Sequence, residues 1–421
     1  MTAMAPMKYP YDEIDVSSRA FWSATATERE RRFAILRARR PVSWHPPAEG
    51  VMVQDPDDPG FWAVVRHADI VHVSRHNDVF VSGQGVMFQN VPPELLEASQ
   101  SFLAMDPPRH DKIRKLVSAA FTPRQIRRIE DQISADAGAI VSELANAGSG
   151  VDFVAHCASQ LPLRTLSHMM GIPDEDAVPV MQNAEALVSA DDPIYLNGRE
   201  TMAVLFESAA NLHAIASELA ARRRSAPRDD LMTNLVQAEI DGERLTDAEI
   251  AAFFVLLAVA GNDTTRQTTS HALAGLTEFP AQRQWLLADF DNRIGSAVEE
   301  FVRWATPVMT FRRTAVADTE LAGQPIAAGE KVVMFYSSGN RDADVFAEPG
   351  SFDLSRHPNP HVGFGGGGVH YCLGAGVART QLRAIFRELL HRLPDIEAGD
   401  PDLLAGNFIH AVRAMPCTFT R

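Results

Sequence analysis

Cysteine is scarce in this chain: three stand among 421 residues. Cys157, Cys372 and Cys417 show no paired spacing, which argues against a disulfide framework and fits a reducing cytosol. The opening stretch, Met1 to Pro10, has no long apolar run. Neither a signal peptide nor a membrane anchor is therefore expected, and a cytoplasmic protein is. Positive charge is short as well, with 39 Lys and Arg against 54 Asp and Glu and a formal net charge of -15. So acidic a balance disfavours nucleic acid or an anionic membrane as the main partner. No Gly/Ser-rich linker, low-complexity tract or internal repeat divides the chain. The length alone suggests two or three domains. Without a boundary to divide them, residues 1–421 read as one domain, and 46% hydrophobic residues are ample for its core.

One of the cysteines keeps unusual company. Cys372 lies in Phe364-Gly365-Gly366-Gly367-Gly368-Val369-His370-Tyr371-Cys372-Leu373-Gly374. Glycines permit positive φ and close backbone approach, so several amide N–H groups can point at one sulfur. A thiolate held that way is a metal ligand, and one thiolate on a lone iron points to haem. Two plainer readings compete. An isolated cysteine is often a small buried hydrophobe, a role better suited to Cys157 and Cys417, which lack such surroundings. The run Gly363-x-Gly365-x-x-Gly368 also fits a dinucleotide fingerprint, but that motif needs a strand before it. The preceding Arg356-His357-Pro358-Asn359-Pro360-His361 carries two prolines, which bar a central strand.

Residues 246–278 read as one long helix. Thr246-Asp247-Ala248-Glu249 is a capping box, and Pro280 closes the far end. At 1.5 Å per residue the helix is about 46 Å long, enough to cross a domain. Its Ala251–Ala260 part is apolar all round, which predicts burial on every side. Polarity then begins abruptly at Gly261-Asn262-Asp263-Thr264-Thr265-Arg266. A mid-helix glycine costs about 1 kcal/mol relative to alanine, and a buried aspartate is unfavourable unless satisfied. Local rules broken together mark a functional position. The plain alternative is a solvated turn with back-bonding hydroxyls.

These two segments resemble the signatures of the cytochrome P-450 family, the haem-thiolate monooxygenases. The family's haem loop reads Phe-x-x-Gly-x-His/Arg-x-Cys-x-Gly. Its helix motif, Ala-Gly-x-Asp/Glu-Thr-Thr, is matched at Ala260, Gly261, Asp263 and Thr264. The Phe364-to-Cys372 spacing is one residue longer than usual, with one extra glycine, similar to actinobacterial members that act on lipids and sterols. The resemblance runs from Phe61 to the Phe408-Ile409-His410 segment. It implies a mainly α fold with a minor β region: a triangular helical domain with a long central helix and small β-sheets. It also implies haem b (iron protoporphyrin IX) with Cys372 as the axial ligand. Dioxygen would bind in a groove at Ala260 and Gly261, and Asp263 and Thr264 would deliver protons. Glu300 and Arg303, with Arg356 downstream, match the family's Glu–Arg–Arg triad, which would hold the loop leading to Cys372. His110, Arg114, Arg313, His361 and His370 match contacts to the haem propionates, and Phe364 opens the haem loop.

Nothing in the chain resembles a flavin or iron–sulfur domain, so electrons are expected from a separate ferredoxin and ferredoxin reductase. Arg109, Lys112, Lys115, Arg124, Arg127 and Arg128 form a candidate basic docking patch. The subgroup most resembled is that of the actinobacterial methyl-branched lipid ω-hydroxylases; their cholesterol-oxidising relatives are less similar. Segments that form the family's pocket are mostly apolar here, including Val91, Leu103, Leu257, Val308, Phe311 and Phe408. Such a lining suits a hydrophobic branched-chain or isoprenoid substrate. The expected activity is hydroxylation of such a lipid, with a terminal methyl as the candidate position. The alternatives are a sterol- or polyketide-oxidising biosynthetic enzyme of the same fold and a non-enzymatic haem sensor. A sensor has no need of proton delivery, so the Asp263–Thr264 pair speaks against it.

Overall fold

The computed structural model describes residues 9–50, 55–90, 96, 101–118, 121–189, 192–240 and 242–420. Helices carry most of the packing: α1 (Ala26–Arg39), α2 (His67–Arg75), α3 (Arg109–Ser118), α4 (Pro123–Ala147) and α5 (Gln160–Met170). They are followed by α6 (Asp174–Val188), α7 (Thr201–Ser225), α8 (Asp247–Glu278), α9 (Phe290–Ala305) and α10 (Ala375–Arg392).

The long helix α8 organises the rest. At its start the Thr246 side chain accepts from the Glu249 N–H, and the Glu249 carboxylate accepts from the Thr246 N–H at 2.9 Å, so the capping box forms as predicted. Helix resumes at Pro280, whose missing N–H costs nothing at a first position. The C-terminal half of α8 buries Leu273 and Leu276 against Leu144 of α4, Phe301 of α9 and Phe386 of α10. The N-terminal half buries Ile250, Phe253 and Phe254 against Met170 of α5 and Leu212 and Leu219 of α7. Each such side chain contributes about 1.5–3 kcal/mol on burial. Among the described residues α8 is the one helix long and apolar enough to cross a membrane, and these contacts show it serving as a core helix.

One expectation fails here. The Ala251–Ala260 stretch is not buried on every side: Phe253, Phe254 and Ala258 are buried, Leu256 and Leu257 are half-buried, and Ala260 is exposed. One face of α8 borders a cavity where packed neighbours were predicted. Composition cannot make that distinction, because an apolar wall and an apolar core use the same residues.

Strands β1 (Val42–His45), β2 (Phe61–Val64), β3 (Phe80–Val81), β4 (Thr310–Ala315) and β5 (Lys331–Phe335) form a sheet in the order β1-β2-β5-β4-β3. The β2–β5 pair is parallel, with Trp62 opposite Val332, and the other pairs are antiparallel. Four two-stranded sheets complete the β content of the described residues. Alternation along β4 matters for the site, since successive side chains point to opposite faces. Phe311 and Arg313 reach the cavity. Arg312 turns the other way, and its guanidinium donates to the carbonyls of Gln84 and Gln89.

Candidate active site

The cavity lies between α8 and the loop that leads into α10, and holds about 1600 Å³ of non-atom space including its mouth. Its α8 wall is the stripe Phe253, Leu257, Ala260, Gly261, Thr264 and Thr268, residues three and four apart on one helical face. A Cβ added at Gly261 would meet nothing within 4 Å, so the missing side chain widens the cavity. Cys372, Phe364 and His370 line the opposite side.

The glycine run explains itself once the loop is seen against α2. Gly365, Gly367 and Gly368 have φ of 97°, 94° and 73°, where side-chain-bearing residues are strained. A Cβ on Gly366 would lie 2.5 Å from Ser74 Oγ, and one on Gly368 would lie 2.1 Å from the Ser74 carbonyl oxygen. The run therefore lets the backbone lie against the last turn of α2. The Cys372 N–H donates to the Phe364 carbonyl at 3.0 Å and closes the loop. Burial pushes the Cys372 thiol up, while the Gly374 and Ala375 N–H groups and the Arg114 and Arg379 charges favour its thiolate. Cys157 and Cys417 are wholly buried elsewhere, and burial pushes the Cys417 thiol up to about 11. Among the described residues no cluster of three or more His, Cys, Asp and Glu could hold a metal. An iron at Cys372 would have to bring further ligands with it, as a porphyrin does.

Polar groups at one end of the cavity fit such a group. Arg114 and Arg313 both line it. Arg114 Nη2 donates to the Tyr371 carbonyl at 2.6 Å. His370 Nε2 lies 3.0 Å from Ser82 Oγ, and its Nδ1 is buried without a well-formed partner. His110 sits behind it, ring centroids 4.4 Å apart, outside the cavity lining. Its Nδ1 is 3.0 Å from Asp111, while Nε2 is also buried and unpaired. Unpaired buried nitrogens call for an explanation, and a haem with two propionates supplies acceptors for this set of donors. His361 behaves differently. Its Nε2 is 3.0 Å from Glu299, its Nδ1 accepts from the Gly363 N–H at 3.2 Å, and it lies outside the cavity lining. Both of its ring nitrogens thus meet protein partners, and the expected propionate role of His361 draws no support from the cavity lining.

On α8, the Thr264 hydroxyl donates to the Ala260 carbonyl at 2.8 Å and faces the cavity. Asp263 is buried outside the cavity lining. Its Oδ1 lies 2.6 Å from Arg266 Nη2, but neither carboxylate oxygen has a well-aligned hydrogen bond. Arg266 in turn donates to Glu185 of α6 at 2.9 Å. Burial pushes the Asp263 carboxyl up to about 6, against the pull of Arg266. Sequence reasoning missed both partners. Arg266 could have been found, three residues on from Asp263; Glu185 carried no signal at all.

Glu300 accepts from Arg303 Nε and Nη2, both at 2.7 Å, from Arg356 Nε at 3.2 Å, from Asn359 Nδ2 at 3.0 Å and from the Asp353 N–H at 2.9 Å. The other Arg303 N–H groups go to the carbonyls of Asn340, Pro349 and Ser351. Asn340 Oδ1 then accepts from the Val362 N–H, two residues before Phe364. The structure thus brings the predicted triad together and ties it to the cysteine loop.

Of the expected pocket residues, Leu103, Leu257, Val308 and Phe311 line the cavity. Phe408 packs on Phe311 at 5.6 Å without entering the lining, and Val91 lies outside the described residues. The expected basic patch is partly neutralised: Arg109, Lys112 and Arg128 pair with Glu249, Glu243 and Asp229. Arg124, Arg127 and Lys115 are exposed. Ile126, between the first two, touches the position of a Cβ on Gly376, which puts this turn of α4 beside the cysteine loop.

The chain matches the cytochrome P-450 family over residues 61–394. It is 41% identical over 421 residues to the methyl-branched lipid omega-hydroxylase of Mycobacterium tuberculosis, covering 99% of this chain and 96% of that one. It is 39% identical over 400 residues to the steroid C26-monooxygenase of the same species, covering 92% and 89%. A solved Mycobacterium marinum cytochrome P-450 in complex with pseudoionone superimposes with a TM-score of 0.95 at 70% identity, covering 98% of this chain and 99% of that chain.

Proposed function

The chain belongs to the cytochrome P-450 family and is a haem-iron monooxygenase, and we propose that it hydroxylates a methyl-branched or isoprenoid lipid at a terminal methyl. The carrying observation is the wall that faces Cys372: Phe253, Leu256, Leu257, Val308 and Phe311 offer no charge to a substrate. Such a wall selects by shape and apolar area. The name of the 41% identical relative and the pseudoionone complex support a substrate with an extended, methyl-branched carbon chain.

In this reading Cys372 would ligate haem b, and Arg114, Arg313 and His370 would hold its propionates, with His110 supporting His370. Haem supplies the activation of dioxygen. The protein supplies the protons and the pose. Asp263, turned towards α6, exchanges protons with the solvent side near Glu185 and Arg266. Thr264, on the cavity face one residue on, would hold a proton at its hydroxyl towards the cavity. Glu300, Arg303 and Arg356 fix the loop that presents the cysteine. Electrons come from a ferredoxin and its reductase in the cytoplasm, docking beside Lys115, Arg124 and Arg127.

A second reading, side-chain oxidation of a steroid, rests on the identity to the steroid C26-monooxygenase. Titration of the ferric protein with branched fatty acids, acyclic isoprenoids and sterols, following the iron spin state, separates the two. Acyclic branched lipids should give the tighter shifts, and reconstituted turnover should give the terminal alcohol. Tight shifts with sterols alone, or internal alcohols from every acyclic substrate, would sink the first reading.

A further inference from the structure

Helix α10 begins three residues after Cys372, and its second turn carries Arg379. The Arg379 guanidinium lies over the Phe364 ring, 4.5 Å from its centroid. It also makes a two-point pair with Glu299 of α9, Nε to Oε1 at 2.6 Å and Nη2 to Oε2 at 2.8 Å. Phe364 is the residue whose carbonyl holds the Cys372 N–H. Glu299 also holds His361, whose other nitrogen accepts from Gly363 at the start of the loop. One ion pair therefore grips the loop where it enters and where it leaves.

The pair is placed to act electrically as well. The Arg379 and Glu299 side chains are 27% and 26% exposed, so solvent screens them less than a free surface pair. The neighbouring Glu300 is saturated by donors of its own and does not share Arg379.

We propose that Arg379 and Glu299 are positioning residues that set the reduction potential of the iron at Cys372. A cation beside the thiolate stabilises the electron-richer ferrous state and raises the potential; a carboxylate opposes it. The bound pair holds the potential between those limits. This rests on the haem-thiolate reading of Cys372.

The test is potentiometric titration of haem-loaded variants. Arg379→Gln leaves Glu299 uncompensated and should lower the potential; Glu299→Gln leaves Arg379 uncompensated and should raise it. Each should change the ferrous-to-ferric ratio at fixed potential by about threefold to tenfold, tenfold being 59 mV for one electron. The double variant should return near wild type, and Arg379→Lys should fall between Arg379→Gln and wild type. A purely structural role would move both single variants the same way, with loss of the thiolate-type carbon monoxide spectrum. Shifts of one sign, or none with that spectrum intact, overturn the inference. If Arg379→Gln does not retain haem, the sign in Glu299→Gln decides: no upward shift overturns it. A wild-type protein without the thiolate-type spectrum would instead overturn the haem-thiolate reading.

Discussion

Two helices each carry a buried acid and arginine three residues apart, and the fold treats them in opposite ways. On α9, every N–H of Arg303 is used, and Glu300 accepts five hydrogen bonds. On α8, Asp263 has no well-aligned hydrogen bond, Arg266 Nε is unpaired, and burial lifts the Asp263 carboxyl to about 6. A saturated buried network holds one arrangement rigidly; a half-satisfied one stays costly and able to exchange a proton. The same spacing in sequence thus gives a saturated pair in one place and a half-satisfied one in the other, which suits the proposed roles of scaffold and proton relay.

Glu300→Ala should break the contrast most severely. It strands two buried guanidinium groups, Arg303 and Arg356, at a cost of about 3–5 kcal/mol, a large part of a typical folding free energy. Haem content and thermal unfolding should show haem-free or misfolded protein. A stable, haem-loaded variant would place Glu300 outside the scaffold.

The α8 pair should respond in activity. Asp263→Asn should slow product formation by about 10²-fold with haem binding and the substrate-induced spin shift retained. Thr264→Ala should likewise keep both, but divert reductant to hydrogen peroxide. Assaying product and peroxide against reductant consumed checks this; unchanged coupling in Thr264→Ala would remove the proton-delivery role.

The smallest effect has the opposite sign to the first. Burial pushes the Asp263 carboxyl up to about 6 from an ordinary 3.8. Its proton binds more tightly in the folded chain, so its contribution is fully present below about 4 and is lost as pH rises through 6. At pH 7 the buried charge is therefore destabilising, and Asp263→Asn should stabilise the fold by about 1–3 kcal/mol. Thermal unfolding should show that gain at pH 7 shrinking towards pH 4. A loss of stability at pH 7 would mean that Arg266 and Asp263 form a net-stabilising pair like that on α9.

The parts of the site legible in the sequence are those built from neighbours along the chain. The Thr246–Glu249 capping box and the Glu300–Arg303 spacing are set by helical period, and they form where expected. Family likeness extended that reach to Cys372 and to the cavity-lining Arg114, Arg313 and His370. What escaped the sequence depended on distant partners. Glu299, far from His361 along the chain, sits 3.0 Å from its Nε2. Ala251–Ala260 was read as fully buried, yet one face borders the cavity.

The sequence by itself determined the chemistry on offer: one cysteine in a glycine loop, an acid and an alcohol side by side, and an apolar run before them. These follow from residue type and short-range geometry, which the chain carries locally. Only the tertiary structure decided their use. It turned Asp263 away from the cavity towards Glu185, and it set Arg379 over Phe364. It also gave the glycine run its reason, since residues 366 and 368 must pass too close to Ser74 for any side chain. Which distant segments pack together decides burial, pairing and close approach.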